Sequence, residues 1–216
     1  MTRFCLEISG PFACFTRPEM KVERVSYDVI TPSAARAVYE SILWKPQIRW
    51  HMRRIDILKP VRWINLRRNE VGKIISTESV RRAMEAGTGD LALYVEDERQ
   101  QRAGLFLRDV AYRVHADLEL LATGESAAKY SEMFKRRAEK GQWVNQPYLG
   151  CREFAATVRL VEDSRDEPMP LADIDGDLGW MLFDLDFSNA SNPAPKWFRA
   201  CAKRGVIDLT TCEVRG

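Results

Sequence analysis

The chain has 216 residues, 45% of them hydrophobic and 30% charged, with a formal net charge of +2, which is enough apolar content for a full core in one domain or two small ones. No uninterrupted apolar run is long enough to cross a bilayer, and Met1-Thr2-Arg3-Phe4-Cys5 lacks the apolar stretch of a secretory signal, so a cytoplasmic protein with no membrane partner is expected. Cys5, Cys14, Cys151, Cys201 and Cys212 include no Cys-x-x-Cys pair and read as reduced, mostly packed thiols, with no structural metal and no cofactor expected.

In chain order, Phe4, Leu6 and Ile8 alternate with Arg3, Cys5 and Glu7 and predict a strand that ends at Gly10-Pro11. Thr31 and Pro32 then open a helix whose Ala35, Val38, Tyr39 and Ile42 share one face until Pro46 stops it. The stretch from Leu43 to Ile57 follows as a strand with two unlike faces. Ile48, Trp50 and Met52 form the apolar one, while Arg49, His51 and Arg53 form a basic one. Two arginines and an imidazole beside aromatics suit a phosphate backbone, so RNA is the partner this segment points to; an ordinary solvated sheet face is the alternative.

Further along, the pattern predicts strands over Val61–Asn65 and Leu91–Val95, a short helix over Thr77–Ala86 and an exposed turn over Glu96–Gly104. A long strand over Leu105–Leu120 points Val110, Tyr112, Val114, Ala116 and Leu118 one way, and Asp109, Arg113, His115, Asp117 and Glu119 the other. A basic helix over Ser126–Gly141 (Lys129, Lys135, Arg136, Arg137, Lys140), a glycine turn at Tyr148–Phe154 and a strand over Ala155–Val161 come next. Strands over Gly179–Phe187 and Gly205–Arg215 complete the reading, after a loop with Pro168 and Pro170. Charge is uneven along the chain. Segment 36–82 holds twelve basic and four acidic residues, and segment 160–190 holds nine acidic residues (Glu162, Asp163, Asp166 and Glu167 among them) against Arg165 alone, as expected if one surface takes a polyanion.

The order strand, helix, strand, strand, then further strands with a helix predicts an α+β protein: a ferredoxin-like or RNA-recognition-motif domain over residues 1–125, and a basic helix, glycine turn and small β-rich extension over 126–216. Several segments also resemble a known family. They are Leu6 to Phe15, Pro32-Ser33-Ala34-Ala35-Arg36-Ala37, Trp44-Lys45-Pro46, Arg67-Arg68-Asn69-Glu70, Arg108-Asp109-Val110-Ala111-Tyr112 and Tyr148-Leu149-Gly150-Cys151-Arg152-Glu153-Phe154. In that order, from residue 4 to about residue 187, the chain resembles the Cas5 proteins of type I-C (Dvulg) CRISPR systems, which belong to the repeat-associated mysterious proteins, or RAMPs.

The resemblance implies a RAMP fold and a metal-independent endoribonuclease that cleaves precursor CRISPR RNA in its repeats. It also implies a subunit that stays on the 5′ handle of the mature CRISPR RNA within a Cascade effector, beside backbone and large subunits, meeting target DNA only through the complex. In such chemistry a base removes the ribose 2′-hydroxyl proton, the oxygen attacks the adjacent phosphorus and cations stabilise the charged transition state, leaving a 2′,3′-cyclic phosphate. Two positions depart from the family pattern. Many members carry tyrosine where this chain has Leu43, and a histidine where Val114-His115-Ala116-Asp117 ends in aspartate.

With two histidines in the chain, His115 and His51 are the candidate catalytic groups, and Lys45 is a candidate for holding the scissile phosphate. A strand histidine paired with Asp117 is the structural alternative for His115, and a passive phosphate contact is the one for His51. Arg49, Arg53, Arg54, Arg67, Arg68, Arg108 and Arg113 are the expected RNA-binding cations, with Trp44 stacking on a base; packed core is the alternative for Trp44, Trp50 and Tyr112. The three functions that remain are the processing enzyme, a non-catalytic handle-binding subunit of the same complex, and an RNA-recognition protein outside CRISPR. The last is disfavoured because the chain lacks the aromatic run of an ordinary RNA-recognition motif.

Overall fold

The computed structural model describes residues 2–162, 171–189 and 191–216. Asp163, Arg165, Asp166, Glu167, Pro168 and Pro170 of the acidic segment and its loop lie outside the described residues.

Strand β1 (Thr2–Ala13), helix α1 (Pro32–Ile42), strand β2 (Ile48–Ile57), strand β4 (Arg99–Leu120), helix α3 (Ala127–Glu139) and strand β5 (Thr157–Val161) form the frame. The spatial order is β5-β1-β4-β2, with each neighbouring pair antiparallel. This is the split βαβ arrangement of a ferredoxin-like domain, in which each crossover helix returns the chain past an intervening strand. Between β2 and β4 the chain inserts strand β3 (Trp63–Val71) and helix α2 (Thr77–Ala86), and β3 pairs with the first half of β4 to make an arm. Strand β8 (Val206–Asp208) adds to the edge of β2, while β6 (Gly176–Asp186), β7 (Ala194–Ala202) and β9 (Val214–Arg215) form a second sheet.

Local chemistry sets the frame. Thr31 accepts the Ala34 N–H at 3.3 Å and Pro32 occupies the first turn of α1, where an N–H would have no helical partner. The apolar faces of α1 and α3 then cover one side of the sheet. Tyr39 stacks on Phe134 with ring centres 5.5 Å apart, and Trp50 lies 4.6 Å from Phe134. The polar tips are satisfied as well: the Tyr39 hydroxyl donates to the Val114 carbonyl at 2.7 Å, and the Trp50 indole donates to the Leu43 carbonyl at 3.0 Å. Tyr112 and Trp50 are therefore core residues. The second sheet is tied to α1 by Arg36, whose guanidinium donates twice to Asp184, at 3.1 and 2.7 Å.

Beyond β1, which runs through Gly10-Pro11 to Ala13 because its ladder to β4 continues to Leu107, four sequence expectations change. Leu91–Val95 is irregular rather than a strand, and the exposed turn expected over Glu96–Gly104 becomes strand from Arg99 onward. The ladder explains the second change: β3 runs on past Asn65 to Val71, so Val71 pairs with Arg99 and Arg67 with Ala103 without any apolar alternation. Gly205–Arg215 divides into β8 and β9, which join different sheets, and Asp208 accepts the Thr210 N–H at 2.8 Å in the turn between them. Strand β7 was not expected. Its inward residues are Phe198, Ala200 and Ala202, and the two alanines carry too little apolar signal to mark a strand.

Candidate active site

The face of the central sheet opposite α1 and α3 is polar, and a local irregularity in β2 builds it. The β2–β4 register shifts between Met52 and Arg54, so Arg53 is an extra residue. Met52 and Ile55 both face the core, and Arg53 and Arg54 both face the polar side. Three rows of side chains cross this face. One runs Arg3, Asp117, His51; the next Cys5, His115, Arg54, Asp208; the third Arg159, Glu7, Arg113, Asp56.

Asp117 and Asp56 lie low in these rows and hold cations above them, whereas Arg113 is itself more buried than its partner Glu7. Asp117 accepts from Arg3 Nε at 3.0 Å and from Arg53 Nε at 2.9 Å, its side chain only 10% exposed. Glu7 accepts from Arg113 Nε at 3.1 Å and from Arg159 at 2.9 Å. Asp56 takes Arg54 on one oxygen and His115 Nε2 on the other, at 3.0 Å. Burial works to raise the Asp56 pKa, but the bonds from His115 and Arg54 outweigh it and hold the carboxyl below its ordinary value. An ionised carboxylate only accepts, so His115 Nε2 carries the hydrogen and Nδ1 is the basic nitrogen of the neutral ring. The partner of His115 is thus Asp56 and not Asp117, which lies two residues along the same strand and is engaged by the two arginines.

A cavity of about 670 Å³ opens on this face, lined among others by His115, Cys5, Arg3, Arg53, Arg54 and Lys135 of α3. His115 and three guanidiniums therefore meet in one solvent space. A second groove, of about 800 Å³, runs along the other side of β2 and is lined by Trp44, Lys45, Arg49, His51 and Arg53, with Phe187 opposite. Trp44 is 61% exposed there, a stacking platform rather than a core residue. His51 Nε2 is 2.7 Å from Glu119, which this contact holds below its ordinary pKa. Arg53 lines both spaces.

The remaining candidates lie elsewhere. Arg113 is buried in its row with Glu7. Arg67, Arg68 and Arg108 belong to the arm, where Arg68 contacts Glu153 and Glu70 and lies 5.0 Å from the Phe106 ring. Seven residues of strand separate Arg108 from His115, roughly 23 Å. Leu43, where the resemblance implies tyrosine, is fully buried and faces the core. Arg3 and Asp56 were missed in the sequence. Arg3 reads as one more polar position in the alternation of β1, whereas Asp56 acquires its meaning only from a strand 59 residues away. Among the described residues no group of three or more His, Cys, Asp or Glu side chains is placed to hold a metal ion, and no helix is long and apolar enough to cross a membrane.

Comparison with known proteins identifies the family. A family model described as CRISPR-associated protein (Cas_Cas5), of the Cas5d type, matches residues 4–210. A Mannheimia succiniciproducens protein named CRISPR pre-crRNA endoribonuclease Cas5d is 49% identical over 216 residues, covering 96% of this chain and 94% of that one. A Thermus thermophilus protein of the same name is 45% identical over 188 residues, 87% of this chain and 75% of its own. Among solved structures, one described as a CRISPR-associated protein superposes with a TM-score of 0.70 at 20% identity, covering 100% of this chain and 97% of the other. A chain of a CRISPR RNA-guided surveillance complex does so at 0.57 and 12% identity, covering 99% and 89%. Both structures share the fold of the sheet and helices described above, and the sequence matches place the chain in the CRISPR-associated Cas5 family, as a Cas5d protein.

Proposed function

We propose that this protein is a precursor-CRISPR-RNA endoribonuclease and the handle-binding subunit of a type I-C RNA-guided surveillance complex, cutting each repeat at the cavity built around His115. The observation that carries the reading is the pairing of buried Asp56 with half-buried His115, which lines a space shared with Arg3, Arg53 and Arg54. His115 Nδ1 takes the proton of the ribose 2′-hydroxyl, and the resulting oxygen attacks the adjacent phosphorus. Bonds to Asp117 hold Arg3 and Arg53, and the bond to Asp56 holds Arg54, so their guanidiniums meet the charge that builds on the phosphoryl oxygens without first reorganising. The P–O5′ bond breaks as the P–O2′ bond forms, and the departing 5′ oxygen takes up a proton from solvent, leaving a 2′,3′-cyclic phosphate and a 5′-hydroxyl with no metal needed in any step. The second groove, with Lys45, Trp44, Arg49 and His51, takes the flanking single strand by phosphate contact and stacking. Backbone and large subunits of the complex are the protein partners.

One observation favours a second reading, a handle-binding subunit without catalysis: Leu43 fills the core where the family pattern has tyrosine. Incubating the protein with end-labelled repeat RNA in excess EDTA separates the two. A single cut carrying a cyclic phosphate is expected, whereas intact RNA under saturating protein overturns the enzyme reading and leaves the binding one.

A further inference from the structure

Far from the His115 cavity, two of the five cysteines meet. Cys14 lies just past the end of β1 and Cys151 in the glycine turn, 137 residues later. Backbone contacts bring them together: the Cys14 N–H donates to the Leu149 carbonyl at 3.0 Å, and Cys151 Sγ lies 3.7 Å from the Cys14 carbonyl. Gly150 permits the approach. Its φ is +83°, and a Cβ there would lie 2.0 Å from the Cys14 carbonyl oxygen, so no other residue fits.

The polar surroundings of the pair differ from those of a packed thiol. Thr16 Oγ1 is near both sulfurs, 3.4 Å from Cys14 and 3.9 Å from Cys151. Arg24 points a guanidinium nitrogen at Cys151 Sγ from 3.9 Å while also holding Glu153 at 3.1 Å. Cys14 is buried and Cys151 is partly exposed. A hydrogen bond from the Cys14 thiol, helped by Thr16 and Arg24 against the cost of burial, brings the Cys151 pKa down to about 6, and the same bond pushes Cys14 up. A partly exposed cysteine beside a guanidinium, with a second cysteine next to it in space, is the arrangement of a peroxide-reactive cysteine and its resolving partner.

We propose that Cys151 and Cys14 form a redox-modification site in which a hydroperoxide oxidises Cys151 and Cys14 resolves it to a disulfide. The Cys151 thiolate attacks the terminal peroxide oxygen and the O–O bond breaks, so sulfur is oxidised, the peroxide is reduced and the departing oxygen takes up a proton. Cys14 then loses its proton and attacks the sulfenic sulfur. The S–S bond forms as the S–O bond breaks, and the hydroxyl leaves as water, for a total of two thiols and one hydrogen peroxide giving one disulfide and two waters. The product staples the glycine turn to the end of β1. Nine residues of chain separate Cys14 from Cys5, the neighbour of His115, roughly 30 Å if extended, so the site does not depend on the RNA-processing assignment.

The test treats the reduced full-length protein with hydrogen peroxide, alkylates it in denaturant and maps peptides by mass. A cross-linked peptide pair containing Cys14 and Cys151, two hydrogens lighter than the sum, is expected, with Cys5, Cys201 and Cys212 alkylated. Alkylation of Cys14 and Cys151 after peroxide overturns the proposal. In Cys14→Ala, a dimedone adduct should accumulate at Cys151, and its absence under peroxide overturns the assignment of Cys151 as the attacking sulfur. A third readout needs no variant: native iodoacetamide labelling of Cys151 should level off above about pH 7, whereas a rate still climbing toward an ordinary thiol pKa of about 8.5 overturns the thiolate.

Discussion

The polar face of the central sheet and the β3–β4 arm are both rich in arginine, yet the carboxylates that hold it are buried on the sheet and far more exposed on the arm, where Arg68 meets Glu70 and Glu153. On the sheet, buried Asp117 and Asp56 fix the guanidiniums of Arg3, Arg53 and Arg54, each sheet carboxylate sitting in register with a cation on the next strand. On the arm, α2 buries no residue, Ile74 and Met84 are 94% and 77% exposed, and Arg67 projects into solvent. A guanidinium held before the substrate arrives can serve a transition state, while one that must be ordered by RNA can serve only binding. On the proposed reading, catalysis falls to the sheet and RNA capture to the second groove and the arm.

The largest effect expected from that division is kinetic. His115→Ala should lower the single-turnover cleavage rate by roughly 10²–10⁴-fold with little change in repeat affinity, because proton transfer is used only in the transition state. A wild-type rate in that variant would remove His115 from the chemistry, and a parallel fall in rate and affinity would make it a binding residue.

Next in size is the stability carried by Asp56. Asp56→Asn should cost about 1–3 kcal/mol at neutral pH in urea unfolding, since it leaves His115 and Arg54 without their anion. The pH dependence has a definite sign. The folded carboxyl titrates below its ordinary value of 3.8, so its contribution is complete above that pH and disappears as pH falls through the lower folded value. The gap between wild type and Asp56→Asn should therefore hold from neutrality to about pH 5 and close in stronger acid; a gap that widens in acid would contradict the ion pair.

The smallest effect compares two double variants. Arg49→Ala with Arg53→Ala, and Arg67→Ala with Arg108→Ala, should each flatten the slope of log affinity against log salt by about one to two, one counterion-release step per lost phosphate contact. The arm variant should leave stability within about 0.5 kcal/mol, as expected for exposed positions. The sheet variant should destabilise measurably, because it leaves the buried Asp117 with one cation fewer. Equal stabilities would erase the distinction between the two regions.

Much of the frame was legible because its strands are half-buried. The alternations in β1, β2 and the second half of β4 are visible in the sequence, and Thr31-Pro32 marks the start of α1. Where both faces of a strand meet water, as from Arg99 to Arg102, there is no period to read and only the backbone ladder to β3 makes the strand. The site was half legible for a related reason. His115 and Arg53 declare their face by position, but Arg54 reaches it only through the irregularity in β2, and the contact of His115 with Asp56 and of Arg3 with Asp117 depends on which strands become neighbours. The cysteine pair is the extreme case, joined only through the path of the glycine turn.

The extra residue in β2 also bears on how the chain reaches this state. Before Arg53 the inward residues are Ile48, Trp50 and Met52; after it they are Ile55 and Ile57, one step out of phase. A β2 that zipped onto β4 without the irregularity would bury Arg54 on one side of the join, or Arg49 and His51 on the other, against the aromatic faces of Tyr39 and Phe134. Mispaired forms of this strand pair are thus poor competitors during folding, and the ladder has one alignment that both halves of the strand accept. Deleting Arg53 would do more than remove a cation: it would force the two halves of β2 to compete for a single register.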